Sequence, residues 1–291
     1  MAGIDINRTT DGVVLPAEIS NEIWGGVVEN SAVMTAARQI ALPGRGVEIP
    51  IITGEPDADW VNETDAKSVS NHTLGSKKIQ SYTLAVIELF SNQFRRDLPG
   101  LYNELVRRLP YALGRAFDAT VFGDKTAPGA NFDTLADAPE VTFGGDEIYQ
   151  ELAGAYTAVG TAGGQLSHWL ASPALQGTLL GATDGFGRPL FTPEATTTNR
   201  VGQMLGAPIL STRGVPAGVS GFAGDFADGA FWGSVEGIKI DIDGSATVVK
   251  DDVVYSMFQR NMFAVRAEIE VGFGVVDDQR FVKIVAPEVT P

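Results

Sequence analysis

The chain has 291 residues, a net charge of −15 at pH 7 and no cysteine. The lack of cysteine excludes disulfides and thiolate metal sites, and the negative charge disfavours tight or sequence-specific binding of nucleic acid phosphates. No stretch approaches the roughly 18 apolar residues of a membrane helix, and the N-terminus lacks the basic and apolar segments of a signal peptide, so we expect a globular chain of the cytoplasm that binds no membrane.

Residues 1–46 are predicted to form an N-terminal arm. Ile19, Ile23, Val27 and Val28 recur at helical spacing, which predicts an amphipathic helix. The pattern ends at Pro43-Gly44, because neither residue favours continuation of a helix.

Residues 47–90 are predicted to form a long β-hairpin. The run from Val47 to Thr53 is rich in β-branched residues, and Ile79 to Phe90 is predicted to be the returning strand. The tip between them is polar and acidic, so it has little apolar surface to bury. Because a long hairpin is marginally stable alone, the pattern indicates a partner surface and hence an oligomer.

Residues 98–122 are predicted to form one long helix. Its apolar residues recur every three or four positions and make a single face: Leu98, Leu101, Leu105, Leu109, Leu113, Phe117 and Val121. Asp97 is the expected N-cap and Gly123 the expected stop. Pro110 is expected to bend the helix, because its ring clashes with the preceding turn.

The remainder alternates short helices and strands. The glycine-rich stretch 124–245 predicts helices at 146–159 and 172–180 and strands at 207–210 and 238–242. Apolar residues then alternate with polar ones from Phe263 to Phe273, which predicts a half-buried strand. The fold class is therefore α+β, with residues 124–245 forming a second unit inserted after the long helix.

Sequence signatures of catalysis are missing. There is no Walker loop, dinucleotide fingerprint or nucleophile elbow. Of the two histidines, His72 is expected in solvent and His168 in a structural role. Asp241 and Asp243 begin like a calcium loop but lack its terminal glutamate, so a turn is predicted. These features predict neither an enzyme nor a cofactor or metal site.

Ten short motifs, in this order, resemble the tailed-phage major capsid family with the Hong Kong 97 fold. They cover nearly the whole chain: GVVLPAEISNEIW (Gly12–Trp24), ENSAVMTAARQI (Glu29–Ile40), VEIPI (Val47–Ile51), ADWVNE (Ala58–Glu63), SNQFRRD (Ser91–Asp97), WLASPAL (Trp169–Leu175), DGFGRPLF (Asp184–Phe191), LGAPILST (Leu205–Thr212), AGDFADGAFWG (Ala223–Gly233) and NMFAVRAEIEVGFGVVD (Asn261–Asp277).

The resemblance implies a phage capsid fold with four parts: an N-arm (1–46), an extended loop (47–90), a peripheral domain with the long spine helix (91–123 and 246–291) and an axial domain (124–245). It implies self-assembly into pentamers and hexamers of an icosahedral head that encloses double-stranded DNA without binding it specifically. A portal protein, a separate scaffolding protein and decoration proteins are the implied partners. The implied location is the virion, after assembly in the host cytoplasm.

Two other functions remain open at this point. An encapsulin-type nanocompartment shell protein is similar in fold and would enclose cargo enzymes in place of DNA. A soluble enzyme or sugar-binding α+β protein is the more distant alternative, and the missing catalytic signatures weigh against it.

The resemblance also implies candidates for a covalent crosslink between subunits. Lys67, Lys77 or Lys78 of the extended loop would attack the amide of Asn261, with Glu268 as the base. The favoured interpretation is plainer: Asn261 begins the last long strand, Glu268 pairs with a nearby arginine and the lysines are solvated.

Overall fold

The computed structural model describes residues 17–53, 60–63, 67, 73–93, 98–144, 148–182, 191 and 200–286. The helices are α1 (Ala17–Asn30), α2 (Ala32–Ala36), α3 (Leu98–Val121), α4 (Ile148–Thr161), α5 (Pro173–Gly181) and α6 (Phe226–Gly229), with a 3-10 turn at Asp278–Arg280. The strands are β1 (Arg38–Ala41), β2 (Val47–Thr53), β3 (Thr73–Ile79), β4 (Tyr82–Ser91), β5 (Glu140–Thr142), β6 (His168–Ala171), β7 (Arg200–Met204), β8 (Ala207–Ser211), β9 (Val219–Gly224), β10 (Ala230–Ser234), β11 (Lys239–Asp243), β12 (Thr247–Lys250), β13 (Val253–Ser256), β14 (Met262–Val275) and β15 (Phe281–Val285).

A five-stranded sheet is built around β14. One edge of β14 pairs with β4, and the other edge pairs with β11 and then β10, which in turn pairs with β1. The period-two pattern predicted this strand correctly, since Val265, Ala267 and Ile269 are buried whereas Arg266 is exposed.

Helix α3 packs its apolar stripe into the core of that sheet. Leu105, Leu109 and Leu113 are buried, and Phe117 stacks edge-to-face with Phe273 at 6.2 Å between ring centroids. The helix ends at Val121, and Gly123 follows with a φ of +83°, the left-handed conformation expected of a helix stop. The expected N-cap Asp97 lies outside the described residues.

Helix α1 lies against α3, where two glycines allow close contact. A Cβ at Gly26 would approach the Pro110 ring at 3.0 Å, and a Cβ at Gly114 would approach the Val27 carbonyl oxygen at 3.1 Å. Pro110 lies inside α3, and the bend that we expected there stays a prediction.

The described part of the expected N-arm is integral to the chain's own core. Ile23 and Val27 are buried against α3, and β1 pairs in parallel with β10. From residue 17 onward, the apolar face that marks the helix is therefore covered within the same chain, and the extent of the N-terminal arm, 1–46, stays a prediction. Residues 1–16 lie outside the described residues.

The returning strand of the hairpin is β3, and the prediction that it spans Ile79 to Phe90 is wrong. Val47 pairs with Ile79 and Thr53 with Thr73, whereas β4 is a strand of the five-stranded sheet. In the sequence of β3, TLGSKKI, apolar and polar residues show little alternation, because a two-stranded ribbon does not present one face to a core.

A six-stranded sheet, in the order β5-β15-β9-β6-β8-β7, forms the second layer with α4 and α5. The two sheets do not follow the predicted domain bounds: β10 and β11 belong to the first sheet, and β15 belongs to the second. Pairing between segments that are distant in the chain decides to which sheet a strand belongs, and local sequence does not encode that pairing.

Two ribbons stand apart from these sheets. The β2–β3 hairpin and the β12–β13 hairpin each pair only with themselves among the described strands. Within the described part of the chain, no helix is long and apolar enough to cross a membrane.

Candidate assembly surfaces

Asp118 joins three segments of the chain inside the core. Its carboxylate accepts hydrogen bonds from the Ser31 hydroxyl at 2.6 Å and the Thr212 hydroxyl at 3.0 Å. It also accepts from the backbone N–H groups of Ala32 at 3.0 Å and Val33 at 3.3 Å. One side chain of α3 therefore holds the first turn of α2 and the loop after β8.

The burial of this carboxylate governs its ionisation. Asp118 is 1% exposed, and desolvation raises its pKa to about 6, although the hydrogen bonds from Ser31, Ala32, Thr212 and Val33 act in the opposite direction. The sequence prediction missed this residue. One signal was present, since an acidic residue in the last turn of a helix opposes the helix dipole and needs a specific partner.

The base of the β2–β3 hairpin is fixed to the body by Lys77. Its ammonium lies 2.7 Å from an Asp133 carboxylate oxygen and donates to the Val275 carbonyl at 2.9 Å. Ile79, at the end of β3, is buried. Among the crosslink candidates, Lys77 is thus engaged within its own chain, whereas Lys67 and Lys78 are exposed.

Asn261 and Glu268 are not brought together within one chain. Asn261 precedes β14 with φ +54°, and its side-chain oxygen accepts from the Asn92 amide at 2.8 Å. The Glu268 carboxylate lies 3.2 Å from the Arg266 guanidinium. Seven positions of extended chain separate them by about 23 Å, so they cannot act on one bond within a subunit.

Six of the eleven large apolar residues that are exposed in the described part of the chain lie on or next to the two ribbons. Trp60 and Val61 lie in the connection between β2 and β3, and Trp60 is fully exposed. On the other ribbon Val249 and Val254 face each other across the ladder, and both are exposed together with Phe258. Exposed apolar surface of this kind marks interaction sites.

The remaining candidate residues make structural contacts. His168 is half-buried in β6, with Nδ1 3.1 Å from the Ser167 hydroxyl. Asp243 accepts from the Ser245 N–H and hydroxyl, as expected of a turn, and Asp241 pairs with Arg266 at 2.8 Å. His72 lies outside the described residues. No group of three metal-ligating side chains occurs in the described ranges.

The sequence model of one protein family matches nearly the whole chain. The family is described as the phage capsid family, and the match spans residues 11–286. The chain belongs to the phage capsid family. Ribbons that pair only with themselves and carry exposed apolar residues are thus found in a family whose members build shells from many copies.

Two relatives of this capsid chain come from mycobacteriophages. It is 28% identical to the probable major capsid protein gp17 of Mycobacterium phage D29 over 284 residues, which is 93% of this chain and 89% of that protein. It is also 28% identical to the probable major capsid protein gp17 of Mycobacterium phage L5, covering 95% of this chain and 90% of that one.

Solved structures share the capsid fold. A structure from Mycobacterium phage Bobi matches with a TM-score of 0.69 and 20% identity over 88% of this chain and 90% of that chain. One from Gordonia phage Cozz matches with a TM-score of 0.66 and 22% identity, covering 88% and 86%. These relatives favour the phage capsid over the encapsulin alternative.

Proposed function

We propose that this chain is the major capsid protein of a tailed phage, and that many copies assemble into the icosahedral head around the genome. The observation that carries the proposal is the family match over residues 11–286. The two mycobacteriophage relatives support it, since both are described as probable major capsid proteins. The chain would be assembled in the host cytoplasm and reside in the virion.

Assembly is also what the two ribbons require. A two-stranded ribbon is marginally stable alone in water, and each of these pairs only with itself among the described strands. Both also expose apolar side chains, Trp60 in the connection of one and Val249 in a strand of the other. Contacts with neighbouring subunits would supply the missing partner surface, and closed symmetry would repeat each contact in every copy.

The two sheets suit the two domains of the capsid fold. We assign the five-stranded sheet and α3 to the peripheral domain and the six-stranded sheet with α4 and α5 to the axial domain. The β2–β3 hairpin is then the extended loop. This assignment follows strand pairing, so β10 and β11 move to the peripheral domain and β15 moves to the axial domain.

The subunits would form pentamers and hexamers, with a portal protein at one vertex and a separate scaffolding protein during assembly. Decoration proteins are further candidate partners. The net charge of −15 supports a shell that encloses double-stranded DNA without binding it specifically, because like charges repel. We assign the chain a structural role with no catalytic activity and no cofactor.

The test is the composition of virions from the phage that encodes this chain. After nuclease treatment, the most abundant polypeptide is expected to be this chain at 30.8 kDa, in particles that retain protected double-stranded DNA. Shells that hold protein cargo and no DNA would identify an encapsulin. A chain that stays a monomer or dimer outside particles would support the enzyme or sugar-binding alternative.

A further inference from the structure

An open apolar cavity lies beside the five-stranded sheet. It has a volume of about 190 Å³ and lies between β4, the last turns of α3 and the loop that follows α3. Tyr82, Leu84, Phe117, Pro128 and Phe132 form much of its wall. A cavity of about 150 Å³ with apolar walls holds a benzene ring, so this one has room for an aromatic side chain.

The walls of the cavity are fixed before any guest arrives. Phe132 stacks edge-to-face with Phe117 at 6.1 Å and with Tyr82 at 6.2 Å. The Tyr82 hydroxyl also accepts from the Asn131 N–H at 3.3 Å. A guest ring would therefore meet a preformed set of aromatic edges and faces, which favours offset or edge-to-face contact.

Trp60 is the side chain that most needs such a site. Its relative exposure is 104%, whereas Trp169 and Trp232 are buried and Trp24 is half-buried. Tryptophan carries the largest apolar surface of any residue together with one N–H donor, so it is typically placed in a core or an interface. The neighbouring Val61 is exposed as well.

One cation beside the cavity is opposite in sign to the acidic segment that carries Trp60. Trp60 is preceded by Asp57 and Asp59 in the sequence and followed by Glu63. Lys125 lines the cavity and is exposed. An acidic segment that carries a tryptophan would thus meet a cation beside an apolar cavity.

Trp60 does not fill the cavity of its own chain, since its side chain is fully exposed. The paired part of the hairpin is seven residues long, about 23 Å, and begins at Ile79, three positions before Tyr82 of the cavity wall. The paired strands therefore lead away from the cavity of the same chain, which favours the cavity of another copy as the receiving site. An interface that joins two different surfaces of identical subunits is heterologous, and it forms a ring when the rotation between subunits closes.

We propose that Trp60 of one subunit occupies the cavity beside Tyr82 and Phe132 of the next subunit in the capsomer ring. This inference rests on the proposed function, because it needs an assembled shell. It adds the receiving surface and the anchoring residue of the extended loop.

The chain has no cysteine, so introduced cysteines report contacts without background. Val61→Cys keeps Trp60, and Thr83→Cys places a thiol at the exposed position of β4 that lines the cavity. Particles of the double variant, oxidised and run on a denaturing gel, are expected to give a ladder of covalent multimers. The matched control is Val61→Cys with Thr157→Cys, an exposed position on α4, and at least ten times less multimer is expected there.

Fluorescence gives a second measurement on the unmodified chain. Tryptophan emission should shift to shorter wavelength when subunits assemble, and Trp60→Phe should assemble without that shift. Three outcomes would overturn the cavity assignment and leave the capsid function intact. They are shells that form with no ladder at position 83, an equal ladder in the control variant, and no emission shift in the wild type. Failure of the wild-type chain to appear in any particle would overturn both.

Discussion

Ser31 and Asp118 lie 87 positions apart in the chain and are joined by a hydrogen bond of 2.6 Å. The same serine hydroxyl accepts from the Met34 N–H at 3.0 Å and so caps α2. A buried carboxylate on the spine helix thus fixes the first turn of the segment that leads into β1. The N-terminal segment is therefore held to α3 by hydrogen bonds as well as by apolar packing.

Loss of the Asp118 carboxylate should destabilise the subunit strongly. Asp118→Ala leaves two backbone N–H groups and two hydroxyls without their acceptor, and a cost of about 4 kcal/mol in the free energy of unfolding is expected. Ser31→Ala removes one cap and should cost about 1 kcal/mol. Urea unfolding of the unassembled subunit measures both, and equal effects of the two substitutions would contradict the central role of Asp118.

The same carboxylate predicts a dependence of stability on pH. Burial raises the pKa of Asp118 to about 6, whereas an aspartate of the unfolded chain titrates near pH 4. The folded chain holds this proton more tightly, so the free energy of unfolding should fall by about 3 kcal/mol as pH rises from about 4 to about 6 and change little above that range. The difference between wild type and Asp118→Asn isolates this contribution from other carboxylates, and a difference that stays constant between pH 4 and pH 7 would contradict it.

The contact between α1 and α3 depends on the absence of a side chain at Gly114. A Cβ there would meet the Val27 carbonyl oxygen and the Ser31 nitrogen at 3.1 Å, both of them backbone atoms. Gly114→Ala is therefore expected to lower the free energy of unfolding by about 1–3 kcal/mol. Gly154 is the matched control, since it lies in α4 and a Cβ there would meet no atom within 4 Å, and Gly154→Ala should stabilise by about 0.5–1 kcal/mol. Equal effects of the two alanines, measured by urea unfolding, would contradict the close contact.

The connection between β2 and β3 should matter for the shell and hardly at all for the subunit. Because Thr73 to Ser76 are paired in β3, the connection comprises residues 54–72. Its described residues, 60–63 and 67, are all exposed. Replacing 54–72 with a short turn should leave the melting temperature of the unassembled subunit within about 2 °C, since a change below about 0.5 kcal/mol shifts it little, and should prevent particle formation. Loss of the subunit's own thermal transition would contradict this expectation.

Mature particles should show no covalent crosslink between subunits. Lys77 is ion-paired with Asp133, the Asn261 side chain is bonded to Asn92, and Glu268 pairs with Arg266. A denaturing gel of mature particles should show a single band near 30.8 kDa. A ladder that disappears in Asn261→Ala would contradict this prediction.

Elements with one strong period were predictable from the sequence. Helix α3 was predicted at 98–122 and spans Leu98–Val121, and β14 was predicted over 263–273 and spans Met262–Val275. One face is buried along the whole of β14, and along α3 from Leu105 onward, so the apolar period is written directly into the sequence. Helix α5 was likewise predicted, because Ser172 and Pro173 form a strong start signal.

Features that depend on distant partners were not predictable. The strand β3 was missed because its apolar and polar side chains show little alternation, and the two sheets cut across the predicted domain bounds because β10 and β15 pair with segments far away in the chain. The Asp118 contacts join residues that are 87 and 94 positions apart. The cavity beside Tyr82 combines β4, α3 and the loop after α3, and no local pattern predicts such an arrangement.

Assembly of this chain into the shell of a phage head can be observed directly. The most direct measurement is a cryo-electron microscopy reconstruction of DNA-filled particles from the phage that encodes it. We expect an icosahedral lattice of pentamers and hexamers in which every subunit has the five-stranded sheet around β14, the spine helix α3 and the projecting β2–β3 hairpin. A shell lattice built from a different polypeptide, with this chain absent or present only inside the particle, would contradict the account.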